Sequence, residues 1–446
     1  MCIRDRSEVE RLGYEENTLV VYIWGDNGSS GEGQDGTISE LLAQNAIGTE
    51  IDEHIKVLDE LGGLDALGSP LVDNMYHAGW AWAGSTPYQG LKLMGSYLGG
   101  TRNPMAIKWP KGIKPDPKPR AQFHHCNDLV PTIYELAGIT PPKMVNGVTQ
   151  DPIHGTSFAY AFNAPDAPGQ LTTQFFDIFG SRSIYHEGWM AGSVGPRLPW
   201  VKGVDPDILA WSPNTDEWEL YNIEEDWSQS RNIADQHPEK LQALKNLFLV
   251  ESAKYKNLPI GGGLWTTIFH PEMKVAPNAT YWELPGTITR IPEGCAPRLG
   301  AVNNRVILDM ETPEHASGVL YKLGANSGGL TAFMDEGILT YEYNLFLIER
   351  TKLRSSQPLP AGRHKLEIVT QHTDDNPRGP LSIKCILNGN KLFEGIVPRP
   401  AALLFTANDC LDVGQALGSP VSLDYRERAP FKFNGTIHSM QVEYLK

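Results

Sequence analysis

The chain has 446 residues, 41% of them hydrophobic and 20% charged, with a net charge of −15 at pH 7. That length exceeds one ordinary core and calls for two or three domains, and the acidic balance argues against nucleic acid as a partner. No run of about 18 uncharged apolar residues occurs, so no membrane span is expected, and five scattered cysteines imply neither a disulfide framework nor a zinc cluster.

Met1-Cys2-Ile3-Arg4-Asp5-Arg6 has no apolar core and is not a secretory signal; it reads as a foreign prefix. Ser7 to Asn17 reads as the end of a helix feeding a strand. That strand, Leu19-Val20-Val21-Tyr22-Ile23-Trp24, is an unbroken apolar run ending at Gly25. Such a run predicts a strand buried on both faces, as in a parallel sheet. Parallel sheets place their chemistry past the carboxyl ends of their strands, and here that position holds Asp26 and Asn27. A carboxylate beside an amide carbonyl makes two hard oxygen donors suited to Ca²⁺ or Mg²⁺. Asn27-Gly28 is also a hairpin-turn signal, but Ser29 to Thr37 has no alternating apolar pattern and reads as a loop over a site.

Thr37 to Gly62 is helical in pattern, with Ile51, Ile55 and Leu58 at helix spacing. Leu71 to Pro87 reads as a packed, aromatic-rich loop. Lys92 precedes a glycine-rich turn, Gly99-Gly100-Thr101-Arg102-Asn103-Pro104, and a strand follows at Met105 to Trp109. Arg102 reads as a brace for that turn, with a substrate contact as the alternative, and Lys108 and Lys111 read as surface charges. Asn127 to Ala137 predicts a helix with Leu129, Ile133 and Leu136 on its apolar face, stopped by Gly138. His124 and His125 just before it are adjacent on an extended chain and point to opposite faces, which favours structural roles over one shared metal.

Phe175 to Phe179, Ser183 to Tyr185 and Glu217 to Tyr221 predict a small antiparallel sheet, and His237-Pro238 opens a helix carrying Leu241, Leu244, Leu247 and Phe248. Residues 261–294 read as a glycine- and proline-rich linker. Beyond it, Leu330–Met334 and Ile338–Tyr343 form a hairpin, His364–Thr370 alternates, and Leu381, Ile383, Cys385 and Leu387 lead to an Asn388-Gly389 turn. Many short strands with turns between them predict a β-sandwich. Asp374-Asp375 and Asp409–Asp412 read as solvated acidic turns, with a Ca²⁺ site as the alternative, and a Cys385–Cys410 pair is left open.

Leu-Val-Val-Tyr-Ile-Trp-Gly-Asp-Asn-Gly-Ser-Ser, together with the lysine before Gly-Gly-x-Arg-x-Pro, resembles the sulfatase family of the alkaline-phosphatase superfamily. The resemblance implies an α/β fold: the C-terminal part of an alkaline-phosphatase-like mixed-sheet domain with a small antiparallel sheet, followed by a C-terminal all-β sandwich. In domains it implies the second half of the sulfatase α/β domain over residues 7–170, the small sheet and terminal helix over 171–260, and the sandwich over 295–446. It implies sulfate-ester hydrolysis with Asp26 and Asn27 as ligands of Ca²⁺ (or Mg²⁺), and Lys92 contacting the sulfate oxygens and the leaving oxygen. It implies a sulfate-ester small molecule or sulfated glycan as substrate, and a periplasmic or secreted location. The family's nucleophile is a formylglycine made from Cys or Ser in Cys/Ser-x-Pro-x-Arg. No Cys or Ser here has Pro two on and Arg four on; Cys295-Ala296-Pro297-Arg298 comes one residue short. The expectation is therefore a fragment with half a metal site, itself nearly inert. The alternatives are a phosphate or phosphonate ester hydrolase of the same superfamily, and a carbohydrate-binding β-sandwich protein.

Overall fold

A computed structural model describes residues 2–445 apart from 26, 35, 40, 46, 74, 76, 197, 199–210, 262–278, 377 and 407. It has mixed helices and sheets together with a many-stranded antiparallel region. The chain divides into two units. The first takes in Met1–Gly31, Trp80–Pro199 and Pro206–Met273; the second takes in Glu32–Gly79, Trp200–Asp205 and Lys274–Lys446.

In the first unit, the helix Cys2–Arg11 runs through the prefix. Strand β1 (Val20–Ile23) follows, and it pairs antiparallel with β2 (Met105–Lys108), Val20 opposite Lys108 and Ile23 opposite Met105. This corrects the expected strand buried on both faces in a parallel sheet. These two strands form a two-stranded sheet, and alternation leaves Tyr22 and Trp24 on the exposed side, 42% and 53% accessible. The apolar run reports β-propensity and not burial.

The Asn146-Gly147 turn joins a short hairpin of β3 (Met144–Val145) and β4 (Val148–Thr149). Four antiparallel strands come next in sequential order: β5 (Thr173–Ile178), β6 (Ser181–His186), β7 (Trp189–Ser193) and β8 (Glu219–Asn222). Ile184, Ala191 and Leu220 on this sheet pack with Leu244 and Phe248 of the helix Pro238–Lys254. Proline in that helix's first turn is where its missing N–H costs nothing. The helix Leu129–Ala137 stops at Gly138 as expected, but its expected apolar face is not buried. Thr132 is the buried residue, and Ile133 is exposed.

In the second unit, Thr37–Gly62 is two helices, Leu41–Gln44 and Ile51–Glu60, and not one. The expected stripe is also rotated: His54 and Val57 are buried while Ile51 and Ile55 are exposed. Leu71–Pro87 contains the helix Ala78–Ser85 in place of an unbroken loop, and from Trp80 on this helix belongs to the first unit.

The sandwich consists of two six-stranded antiparallel sheets. Its strands are β9 (Tyr281–Pro285), β10 (Ile291–Pro292), β11 (Asn304–Thr312), β12 (Gly318–Ala325), β13 (Gly328–Asp335), β14 (Ile338–Leu345), β15 (Glu349–Arg354), β16 (Gly362–His372), β17 (Leu381–Leu387), β18 (Asn390–Val397), β19 (Cys410–Val413) and β20 (Thr436–Tyr444). One sheet runs β10-β19-β12-β13-β14-β15, the other β18-β17-β16-β11-β20-β9. Strand β9 lies inside the expected linker. Its Trp282 and Leu284 face inward while Tyr281 and Glu283 face solvent, the period-two pattern of a half-buried strand. Cys385 and Cys410 are both free thiols.

The acidic stretch Asp409–Asp412 is not a solvated turn. Lys322 of β12 is fully buried, and its ammonium donates to Asp409, to Asp412 Oδ2 at 3.3 Å and to the Gly324 carbonyl at 3.1 Å. Lys322 stands directly opposite Asp412 in the β12–β19 register. A buried cation thus compensates the buried Asp412 carboxylate and the partly buried Asp409.

Candidate functional site

All elements of the candidate site lie in the first unit. At the end of β1 the Trp24 N–H donates to Pro104 O at 3.1 Å, and Gly25 turns the chain with φ of 95°. Asp26 lies outside the described residues. The Asn27 side-chain nitrogen donates to Gly28 O at 2.9 Å, which leaves its carbonyl oxygen as the end to offer a hard cation. The Gly28 N–H donates to Gly100 O at 2.9 Å, and the Lys92 N–H donates to Ser29 O at 2.9 Å. The loop after β1 is thereby laced onto the segment that carries Lys92. Glycine is required at 28: an added Cβ would stand 1.9 Å from Gly99 O.

Lys92 and Asn27 line one cleft of about 2340 Å³ within this unit. Lys92 is followed by Leu93 at φ of 75°, a left-handed backbone that costs a leucine about 1–3 kcal/mol. The surrounding contacts hold it there. Ser183 Oγ donates to Gly95 O at 2.6 Å, and Ser181 Oγ accepts from the Ser96 N–H at 3.3 Å. The hydroxyls of Tyr97 and Tyr221 both donate to Glu219 Oε2, at 2.7 and 2.8 Å. Burial and the neighbouring Glu219 carboxylate raise both phenol pKa values, so the phenols remain donors. Gln229 is fully buried; its Oε1 accepts from the Leu98 N–H at 2.7 Å and its backbone carbonyl accepts from Gln89 Nε2. Sequence reasoning missed Ser183, Glu219 and Gln229. Each acts across about ninety or more positions, and no local pattern marks them.

The remaining candidates have structural partners. Arg102 lies over the Tyr88 ring, 5.2 Å from its centroid. Lys108 pairs with Glu15. His124 packs against Phe158 and Tyr160, and His125 against Phe176 while its Nδ1 accepts from the Asn127 N–H. Burial lowers both imidazole pKa values. Among the described residues no group of three or more His, Cys, Asp or Glu side chains could hold a metal ion.

A cleft at the end of β1 that is lined by Lys92 offers an ammonium to a small oxyanion. Residues 6–139 match the model of the Sulfatase family. A curated relative is an uncharacterized sulfatase of Schizosaccharomyces pombe, 28% identical over 251 residues, or 55% of this chain. The match covers 40% of that relative, so the chain spans well under half of its length. Among solved structures, one from Bacteroides thetaiotaomicron, titled for the metabolism of multiple glycosaminoglycans, is 20% identical. It overlaps 56% of this chain and 42% of its own at a TM-score of 0.36. A Caenorhabditis elegans galectin is 14% identical and overlaps 38% of this chain and 99% of its own, with a TM-score of 0.25. TM-scores of that size do not establish a shared fold.

Proposed function

We propose that this chain carries the oxyanion-binding part of a sulfuric ester hydrolase of the arylsulfatase type, acting on a sulfate-ester small molecule or a sulfated glycan. Lys92 is assigned to the sulfate oxygens, where its ammonium offsets the charge that develops as the ester bond breaks. Asp26 and Asn27 are assigned as ligands of a divalent cation, Ca²⁺ or Mg²⁺. Such an ion, when bound, supplies Lewis-acid stabilisation of the sulfate group. The observation that carries the reading is that Asn27 and Lys92 line one cleft, on two segments bonded through Gly28–Gly100 and Ser29–Lys92.

The formylglycine nucleophile used by the family has no Cys/Ser-x-Pro-x-Arg source in these 446 residues. The reading therefore gives this chain anion binding and charge stabilisation, and assigns the nucleophile to polypeptide outside them. The test is calorimetric titration with inorganic sulfate in Ca²⁺ buffer, alongside an aryl-sulfate turnover assay. Saturable sulfate binding that Lys92→Ala abolishes, with no turnover, is the expected result. Robust turnover, or sulfate binding indifferent to Lys92→Ala, would overturn the reading.

A further inference from the structure

Trp227 is 51% exposed and lines the same cleft as Asn27 and Lys92. An exposed tryptophan on a floppy loop would mean little, but this loop is fixed. The Asp226 carboxylate accepts from the N–H groups of Ser230 and Arg231 at 2.9 and 2.8 Å, and from Ser230 Oγ at 2.9 Å. The Asp226 N–H in turn donates to Asn222 O at 2.8 Å. Two residues beyond Trp227, the buried Gln229 fastens the loop to Leu98 and to Gln89. Gln89 is flanked by Tyr88, whose ring meets Trp227 edge-to-face at 5.6 Å. Arg102 lies over that same tyrosine, and among the described residues no carboxylate pairs with it.

We propose that Trp227, Tyr88 and Arg102 form a binding platform for a glycosyl ring of an anionic, sulfated saccharide, beside the Lys92 site. The proposal rests on the sulfate-ester reading and narrows its substrate to carbohydrate sulfates. The argument is chemical. The C–H face of a pyranose is apolar and packs on aromatic rings, while its hydroxyls stay at the wet edge. Arg102 offers five N–H donors in a planar fork that suits a sulfate or carboxylate two-point contact. The Gln89–Gln229 link ties the Tyr88 segment to the Trp227 loop, so ordering the platform costs little on binding. A small aryl sulfate held at Lys92 would have no need of a second, arginine-bearing aromatic surface.

The full chain is titrated by calorimetry in Ca²⁺ buffer with inorganic sulfate, a sulfated tetrasaccharide and its desulfated counterpart. Wild type is expected to bind the sulfated tetrasaccharide more tightly than the other two. Trp227→Ala should weaken tetrasaccharide binding about tenfold or more and leave inorganic sulfate binding unchanged. Trp227 is half exposed, so the variant folds, and the retained sulfate affinity verifies it. A chain that binds inorganic sulfate but no tetrasaccharide overturns the platform alone. Tetrasaccharide binding indifferent to both Trp227→Ala and Tyr88→Ala, or equal for the desulfated sugar, does the same. Binding of neither probe removes the sulfate-ester reading and the platform with it.

Discussion

Gly28→Ala tests how the loop after β1 is held. The new Cβ would lie 1.9 Å from Gly99 O and 2.9 Å from Gly100 Cα, both backbone atoms that no rotamer change can move. Ordinary contact lies roughly 1.5 Å further out than the closer approach. The loop must therefore retreat from the Gly99–Gly100 turn and give up the Gly28–Gly100 hydrogen bond. Overpacking of this kind costs about 1–3 kcal/mol and the lost bond about 1 kcal/mol, so the loss is about 2–4 kcal/mol. For a unit of roughly 200 residues that lowers its melting temperature by about 4–16 °C. Differential scanning calorimetry of the full chain reads this as a shift of its thermal transition. Gly48→Ala is the control: nothing lies within 4 Å of its added Cβ. The Gly28→Ala chain should melt earlier than wild type and show weaker sulfate binding. A Gly28→Ala chain that melts and binds like wild type would refute the lacing of these two segments.

Lys322→Met leaves the Asp409 and Asp412 carboxylates buried without their cation; chemical denaturation should show the second unit destabilised by about 3–5 kcal/mol, and a loss under 1 kcal/mol would contradict the pairing. Glu293 accepts from the Phe405 and Thr406 N–H groups, yet burial pushes its carboxyl up to about 7. A folded-state pKa above the unfolded value of about 4.5 means the folded state holds the proton more tightly. Its contribution to stability is then fully present below about pH 4.5 and is lost as pH rises through 7, by up to about 3 kcal/mol. Glu293→Gln should flatten the unfolding free energy of the second unit between pH 4.5 and 8, and an unchanged slope would count against the burial effect.

Patterns within one element were readable from the sequence. The Pro238–Lys254 helix, the four-stranded sheet and the alternating strands of the sandwich follow from proline placement, period-two spacing and Asn-Gly turns, all local. Burial was less readable, because it depends on which neighbour covers a face. The β1 run has β2 beside it and leaves Tyr22 and Trp24 exposed, and Ile133 of the helix stopped by Gly138 faces solvent. Long-range polar partners were not readable at all. The reading of Asp409–Asp412 as a turn could not anticipate Lys322, which lies about ninety residues away and meets Asp412 only through strand register. Of the candidate site, the motif around Asn27 and Lys92 was legible as a resemblance. The frame of Gln89, Glu219 and Gln229 that fixes it was not, since glutamine and glutamate carry no positional signature.

The central claim is that Asn27 and Lys92 serve one sulfate site. A double-mutant cycle measures this most directly: sulfate affinity in Ca²⁺ buffer for wild type, Asn27→Ala, Lys92→Ala and the double variant. Two groups acting on one bound anion give a coupling energy of at least about 0.5 kcal/mol. Strictly additive effects, or sulfate affinity untouched by either substitution, would contradict the account.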